Sequence, residues 1–98
     1  MAALIYTDQA ILDLERLTDF LLENDPQAAS DTTELIIEAV SILQRHPLIG
    51  RTVEDPCREL VISRGKTGYV ALYSYEYPAD VILVLSIRHQ REAGYPAS

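Results

Sequence analysis

One lysine, Lys66, and one cysteine, Cys57, are the scarcest reactive side chains in this 98-residue sequence. A lone cysteine cannot close an internal disulfide, which fits a reducing cytoplasm. Its neighbours Pro56 and Arg58 supply no general base, so Cys57 is not expected to act as a nucleophile. Long apolar runs are also missing: a run such as residues 81–85 is far too short to span a bilayer. Residues 1–5 run straight into polar Tyr6, Thr7 and Asp8 without a basic flank, so neither a signal peptide nor a membrane partner is expected. His46 and His89 lie far apart and no carboxylates cluster at ligand spacing, which predicts no metal and no cofactor. No internal repeat or low-complexity segment is present.

What remains is an ordinary globular composition, 48% hydrophobic and 23% charged, of a length that makes a single domain over residues 1–98. The net charge of −7 is unevenly spread. Residues 1–57 carry a balance of −8, whereas residues 58–98 carry +1. An anionic partner would therefore be met by the C-terminal half, and the overall charge opposes tight non-specific nucleic-acid binding.

Hydrophobic periodicity divides the chain. Residues 4–7 form a short strand candidate, and Thr7 offers an N-cap hydroxyl with Asp8 in the first helical turn. Ala10, Ile11, Leu14, Leu17, Thr18, Leu21 and Leu22 then fall in one stripe at helical period, with Asp13, Arg16, Asp19 and Glu23 opposite. Leu12 and Phe20 lie off the stripe and suit a second contact. Asn24, Asp25 and Pro26 end this helix and start another, whose stripe runs through Ala28, Thr32, Leu35, Ile36, Ala39, Val40 and Leu43. Asp31, Glu34, Glu38 and Arg45 are expected on its solvent side, and His46-Pro47 closes it. So short a connection makes the two helices an antiparallel hairpin.

Residues 47–56 read as a connecting loop. Strand period follows over 58–63, 69–77 and 81–88, separated by a glycine-containing turn and a Pro78 turn. The expected fold is α+β: an N-terminal strand and an α-helical hairpin packed on one face of an antiparallel sheet, in the order β-α-α-β-β-β. One side of the middle strand presents Val70, Leu72 and Ser74; the other presents Tyr69, Ala71, Tyr73, Tyr75 and Tyr77. On the last strand, alternation groups Val81, Leu83, Leu85, Ile87 and His89 against Ile82 and Val84. A strand apolar on both sides asks for cover on both, and one helix layer covers only one. Either a partner protein or the chain's own loops supply the rest.

Several stretches, in order, resemble the ParE/RelE superfamily of toxins from type II toxin–antitoxin systems. They are Asp13-Leu14, Asn24-Asp25-Pro26-Gln27-Ala28-Ala29, Leu43-Gln44-Arg45-His46-Pro47-Leu48-Ile49-Gly50-Arg51, Cys57-Arg58-Glu59-Leu60 and Ile87-Arg88-His89-Gln90-Arg91-Glu92. The resemblance spans nearly the whole chain and implies the same strand and helix order. It implies a cytoplasmic toxin neutralised by a cognate antitoxin that alone touches operator DNA. It leaves two targets: ribosome-bound messenger RNA, cut by RelE-like endoribonucleases, or DNA gyrase, poisoned by ParE-like toxins.

Cleaving RNA without a metal needs a base, cations for the phosphate and an acid for the leaving oxygen. RelE-like toxins use lysines, arginines and a C-terminal tyrosine. Here His89 aligns with a catalytic arginine of that group, and Tyr95 stands near the tyrosine's position between Gly94 and Pro96. Arg88 and His89 alternate across a regular strand and cannot both face one phosphate unless the strand has already ended. The gyrase-directed reading is therefore preferred over a metal-independent endoribonuclease. Arg58, Arg64, Arg88, His89, Arg91 and Tyr95 are the candidate target contacts. Arg58 also suits a structural pair with an acid such as Glu38, and His89 suits a structural histidine. Tyr69, Tyr73, Tyr75, Leu12 and Phe20 are the candidate antitoxin contacts, and the tyrosines equally suit a half-buried sheet face.

Overall fold

The computed structural model describes residues 1–64 and 67–91, with backbone only at 63, 64 and 67. Strand β1 (Ala3–Tyr6) leads into helices α1 (Asp8–Leu22) and α2 (Pro26–Ser41), the latter tightening into a 3₁₀ turn over Ile42–Gln44. Four strands follow: β2 (Arg51–Glu54), β3 (Cys57–Arg64), β4 (Thr67–Glu76) and β5 (Val81–His89). Both helix starts follow from their caps. The Thr7 hydroxyl accepts from the Ala10 N–H at 3.3 Å and also donates to the Val84 carbonyl at 2.8 Å, so one side chain starts α1 and ties it to β5. The Asp25 carboxylate accepts from the N–H groups of Gln27 and Ala28, and Pro26 opens α2 where no donor is needed.

The five strands form one sheet in the order β1-β5-β4-β3-β2. β1 runs parallel to β5, while the remaining pairs are antiparallel, so the sheet is mixed. The segment read as a loop over 47–56 contains β2, an edge strand whose four residues are all exposed. Its prolines flank it rather than interrupt it, and the side chains carry no burial pattern that alternation could reveal.

The hairpin packs on one sheet face, and the core lies between. Leu17, Ile36, Val40 and Leu43 meet Ile62, Tyr69, Ala71, Tyr73, Ile82, Val84 and Ile87 there. The tyrosine row is therefore the inner face of β4, the sheet-face alternative, and burial takes Tyr69 and Tyr73, though not half-buried Tyr75, out of reach of a partner. Tyr73 is 0% exposed and Tyr69 6%. Burying each ring stabilises the fold by about 1.5–3 kcal/mol, provided the hydroxyl is satisfied. Tyr73 meets that condition by donating to the Pro47 carbonyl at 2.8 Å and accepting from the Gly50 N–H at 2.9 Å.

A second correction concerns β5. Ser86 pairs with Leu72 and Val84 with Tyr73, so Leu85 is an extra residue on this strand. Ile87 and His89 consequently share the inner face with Ile82 and Val84, rather than with Leu83 as strict alternation predicts. The cause is tertiary. β1 ends opposite Val84, and beyond it α1 flanks the β5 edge. Asp13, assigned by periodicity to solvent, is 1% exposed there. Its Oδ2 accepts from the Ser86 hydroxyl at 2.6 Å and the Ile87 N–H at 2.8 Å, and Oδ1 accepts from Gln9 at 2.9 Å. Arg16 donates to the Ile87 carbonyl at 3.3 Å. Two helix side chains thus satisfy the edge that β1 leaves open.

Candidate functional site

The end of β5 carries most of the predicted site, and the bulge decides what it presents on each side. On the open face, Arg88 points toward β3. Its Nη2 lies 3.9 Å from Glu59 Oε2, while Nη1 donates to the carbonyls of His89 and Gln90 at 3.2 and 3.3 Å. Arg51, directly opposite Glu59 on β2, donates through Nε to Oε1 at 2.9 Å and again through Nη2. The Glu59 carboxylate is thus held between two guanidinium groups, with its side chain 5% exposed. Arg88 and Glu59 sit on strands either side of β4 and meet above it. An arginine stem shields apolar surface while its head meets a partner, and Val70, opposite Arg88 in register, is 2% exposed.

On the helix side, the His89 ring packs edge-on against Tyr69, with centroids 5.2 Å apart. Its Nδ1 accepts the Arg91 backbone N–H at 3.0 Å, fixing the turn that follows β5. Arg16, Leu17, Phe20, Leu21, Tyr69, His89 and Arg91 line a half-open groove of about 490 Å³ between α1 and this turn. Its lining is mostly apolar and includes the two arginines. Phe20 and Leu12, the residues off the helical stripe, are 65% and 57% exposed.

Arg58 belongs to neither surface. It lies on the inner face opposite Tyr73 and donates to the carbonyls of Leu48 and Gly50 at 3.2 and 2.8 Å. It therefore fastens the 47–50 segment, and its partner is backbone rather than Glu38. Tyr75 is half-buried and donates to Asp80 at 2.7 Å. The Arg64 side chain, Lys66 and Tyr95 lie outside the described residues.

The structure adds Arg51, Glu59, Asp13 and Gly50 to the residues that shape these surfaces. The Pro47-x-x-Gly50-Arg51 run is a clip. Pro47 and Gly50 grip the Tyr73 hydroxyl through backbone groups, and Arg51 then reaches Glu59. A signal for the Arg51–Glu59 pair was present in opposite charges flanking a short turn, but it needed β2 to be recognised as a strand.

The titration shifts among the described residues fall on tyrosines. Burial pushes the hydroxyls of Tyr6, Tyr69 and Tyr73 up from 10.0, partly offset at Tyr73 by the Gly50 N–H and the Arg58 charge. Tyr75 is raised chiefly by its hydrogen bond to Asp80. All four are therefore neutral phenols near pH 7. Among the described residues, no cluster of three His, Cys, Asp or Glu side chains is placed to hold a metal. No helix among them is long and apolar enough to cross a membrane.

Comparison with known proteins fits this architecture. A family model described as the ParE toxin of the type II toxin–antitoxin system parDE matches residues 4–94. Toxin RelE3 of Caulobacter vibrioides is 38% identical over 80 residues, spanning 82% of this chain and 85% of that protein. A chain of the chromosomal ParDE toxin–antitoxin system from P. aeruginosa superposes with a TM-score of 0.75 at 25% identity, covering 91% of this chain and 96% of its own. A chain of the RelBE2 toxin–antitoxin complex from Mycobacterium tuberculosis shares the fold, with a TM-score of 0.63 at 20% identity over 91% and 98% of the two chains. Strand order, helical hairpin and nearly full-length family match lead to one assignment: this chain belongs to the ParE toxin family, within the ParE/RelE superfamily of type II toxin–antitoxin toxins.

Proposed function

We propose that this toxin arrests growth by binding DNA gyrase in the cytoplasm rather than by cutting RNA, and that a cognate antitoxin neutralises it. The observation that carries this reading is Glu59. A nuclease face must offer cations to a phosphodiester and stabilise charge on its oxygens. Here the two open-face arginines, Arg51 and Arg88, already flank a buried carboxylate. His89, aligned with a nuclease arginine, instead faces the helices against Tyr69 and accepts a backbone N–H. Arg91, exposed and lining the groove, is the arginine of the tail best placed to meet a target.

The antitoxin is placed on the helix side, not on the open sheet face where the sequence asked for a further layer. Exposed Leu12 and Phe20 on α1, with the groove beside Phe20, suit an amphipathic segment that folds as it binds. Operator DNA is then reached only through the antitoxin. Similarity to a protein named RelE3 favours the alternative, a ribosome-dependent endoribonuclease. Induction in cells separates the two. The gyrase reading expects broken chromosomal DNA and intact messenger RNA by primer extension. Discrete messenger cuts with intact DNA would replace it by the nuclease reading.

A further inference from the structure

We infer that the free edge of β1 is an interface between two copies of this chain, which pair antiparallel through Leu4 and Tyr6 about a two-fold axis at Ile5. This surface is separate from the groove beside Arg91 and bears on neither choice of target.

The hydrogen-bond directions of β1 define the surface. Ala3 N–H donates to the Asp80 carbonyl and Thr7 N–H to the Val84 carbonyl, each at 3.0 Å. Both point at β5, and so does Ile5, which lies between them in the same parallel ladder. Leu4 and Tyr6 consequently turn their N–H and C=O groups outward, away from the sheet. Among the described residues, no backbone group takes these up.

The two edges of the sheet differ in protection. At the far edge, β2 has a register shift between Thr52 and Glu54, a charged residue at each end and Pro56 just beyond it. Bulges, edge charges and prolines are the devices that stop a strand from pairing with another chain. β1 has none of them. Ala3-Leu4-Ile5-Tyr6 carries no charged side chain and no proline, and its register with β5 is unbroken.

Symmetry points to a second copy as the occupant. Two outward-facing residues flank one that is bonded inward, so this edge is its own complement when turned by half a rotation. Leu4 of one copy exchanges both backbone bonds with Tyr6 of the other, and the symmetric pair repeats the exchange. Ile5 then falls opposite Ile5. Its side chain lies on the open face with Leu83, its partner in register, and is 48% exposed. Side chains directly opposite in such a pair stand about 5 Å apart, so the two isoleucines cover each other. Residues 1–7 carry no charged side chain, which keeps two chains of net charge −7 from meeting acid to acid.

A few backbone bonds and one isoleucine pair make a small contact, so the pairing is weak. The test follows the full chain, freed of antitoxin, by sedimentation equilibrium from about 10 µM to about 1 mM, the range of weak association. Wild type should rise toward twice the monomer mass, and added salt should favour the dimer by screening the like net charges. Ile5→Lys sets two like charges face to face and should stay monomeric at the highest concentration, with its circular dichroism unchanged because the side chain is exposed.

The register is tested separately in a Cys57→Ser background. Ile5→Cys should form an intermolecular disulfide in air, because Cα atoms at such a pair lie about 4.5 Å apart, within disulfide reach. Ala3→Cys, also exposed, should not. It sits two residues from the axis on each chain, about 14 Å from its own copy. Wild type that stays monomeric throughout overturns the proposal, as does a dimer that Ile5→Lys leaves intact or equal cross-linking at both cysteines. Should Ile5→Lys unfold, the two cysteine variants decide alone. A monomeric wild type whose antitoxin binding is abolished by Ile5→Lys would give the edge to an antitoxin strand and also overturn the pairing of copies. Gyrase activity enters none of these readouts, so the target reading stands or falls separately.

Discussion

Gly50 lies against the ring of Tyr73. Its N–H donates to the phenolic oxygen at 2.9 Å, and a Cβ on Gly50 would fall 2.6 Å from Cε1 and 2.7 Å from that oxygen. The Glu59 carbonyl would be 2.9 Å away on the other side. Gly50→Ala therefore forces the ring or strand β3 to move. An overpacking cost of about 1–3 kcal/mol is expected, read as a lower urea midpoint. Arg51 follows immediately, so the same substitution should also loosen its bond to Glu59.

Tyr73 makes a prediction about alkaline pH. Its folded-state pKa is raised above 10.0, first by burial. The folded chain then holds this proton more tightly than the unfolded chain. The stabilisation is fully present below pH 10 and is lost as pH rises from there through the folded pKa. Denaturation midpoints should fall above about pH 10, and Tyr73→Phe should flatten that decline. At neutral pH the same variant should cost about 1–3 kcal/mol, because the Gly50 N–H and Pro47 carbonyl lose their buried partner. An unchanged alkaline slope in Tyr73→Phe would assign the effect to other groups.

Asp13 should be the most sensitive acidic position on α1. Asp13→Ala removes the acceptor of the Ser86 hydroxyl and the Ile87 N–H, leaving a buried donor on the strand edge. Two hydrogen bonds to a charged group make the expected loss about 3 kcal/mol or more. Ser86→Ala removes one of them and should cost about 1 kcal/mol. Equilibrium urea unfolding of both variants checks the order. Equal and small effects would mean the bulge holds without its carboxylate.

Much of the fold was legible in the residues. Thr7, Asp25 and Pro26 mark the helix starts, because capping is local chemistry that the sequence displays directly. Strand alternation in β4 correctly separated Val70, Leu72 and Ser74 from the tyrosines. It could not say which side met the helices, since period alone carries no inside or outside, and tyrosine suits both. The Leu85 bulge was invisible for a different reason: the contact beside it, Asp13 to Ser86, joins residues 73 apart in sequence. Periodicity placed Asp13 among solvent-facing acids because a buried carboxylate is readable only through its partners. The candidate site shows the same limits. Alternation put Arg88 and His89 on opposite faces, whereas the guanidinium–Glu59–guanidinium arrangement needed the four-strand register from β2 to β5.

The central claim is the target. The most direct measurement is supercoiling of relaxed plasmid by purified DNA gyrase with increasing amounts of purified toxin, assayed beside an Arg91→Ala variant. The account predicts loss of supercoiling or accumulation of cleaved plasmid with wild type, and inhibition weakened by about tenfold or more in the variant, as for loss of an interface arginine. Full gyrase activity at large toxin excess, with ribosome-bound messenger RNA cut by the same preparation, would contradict it.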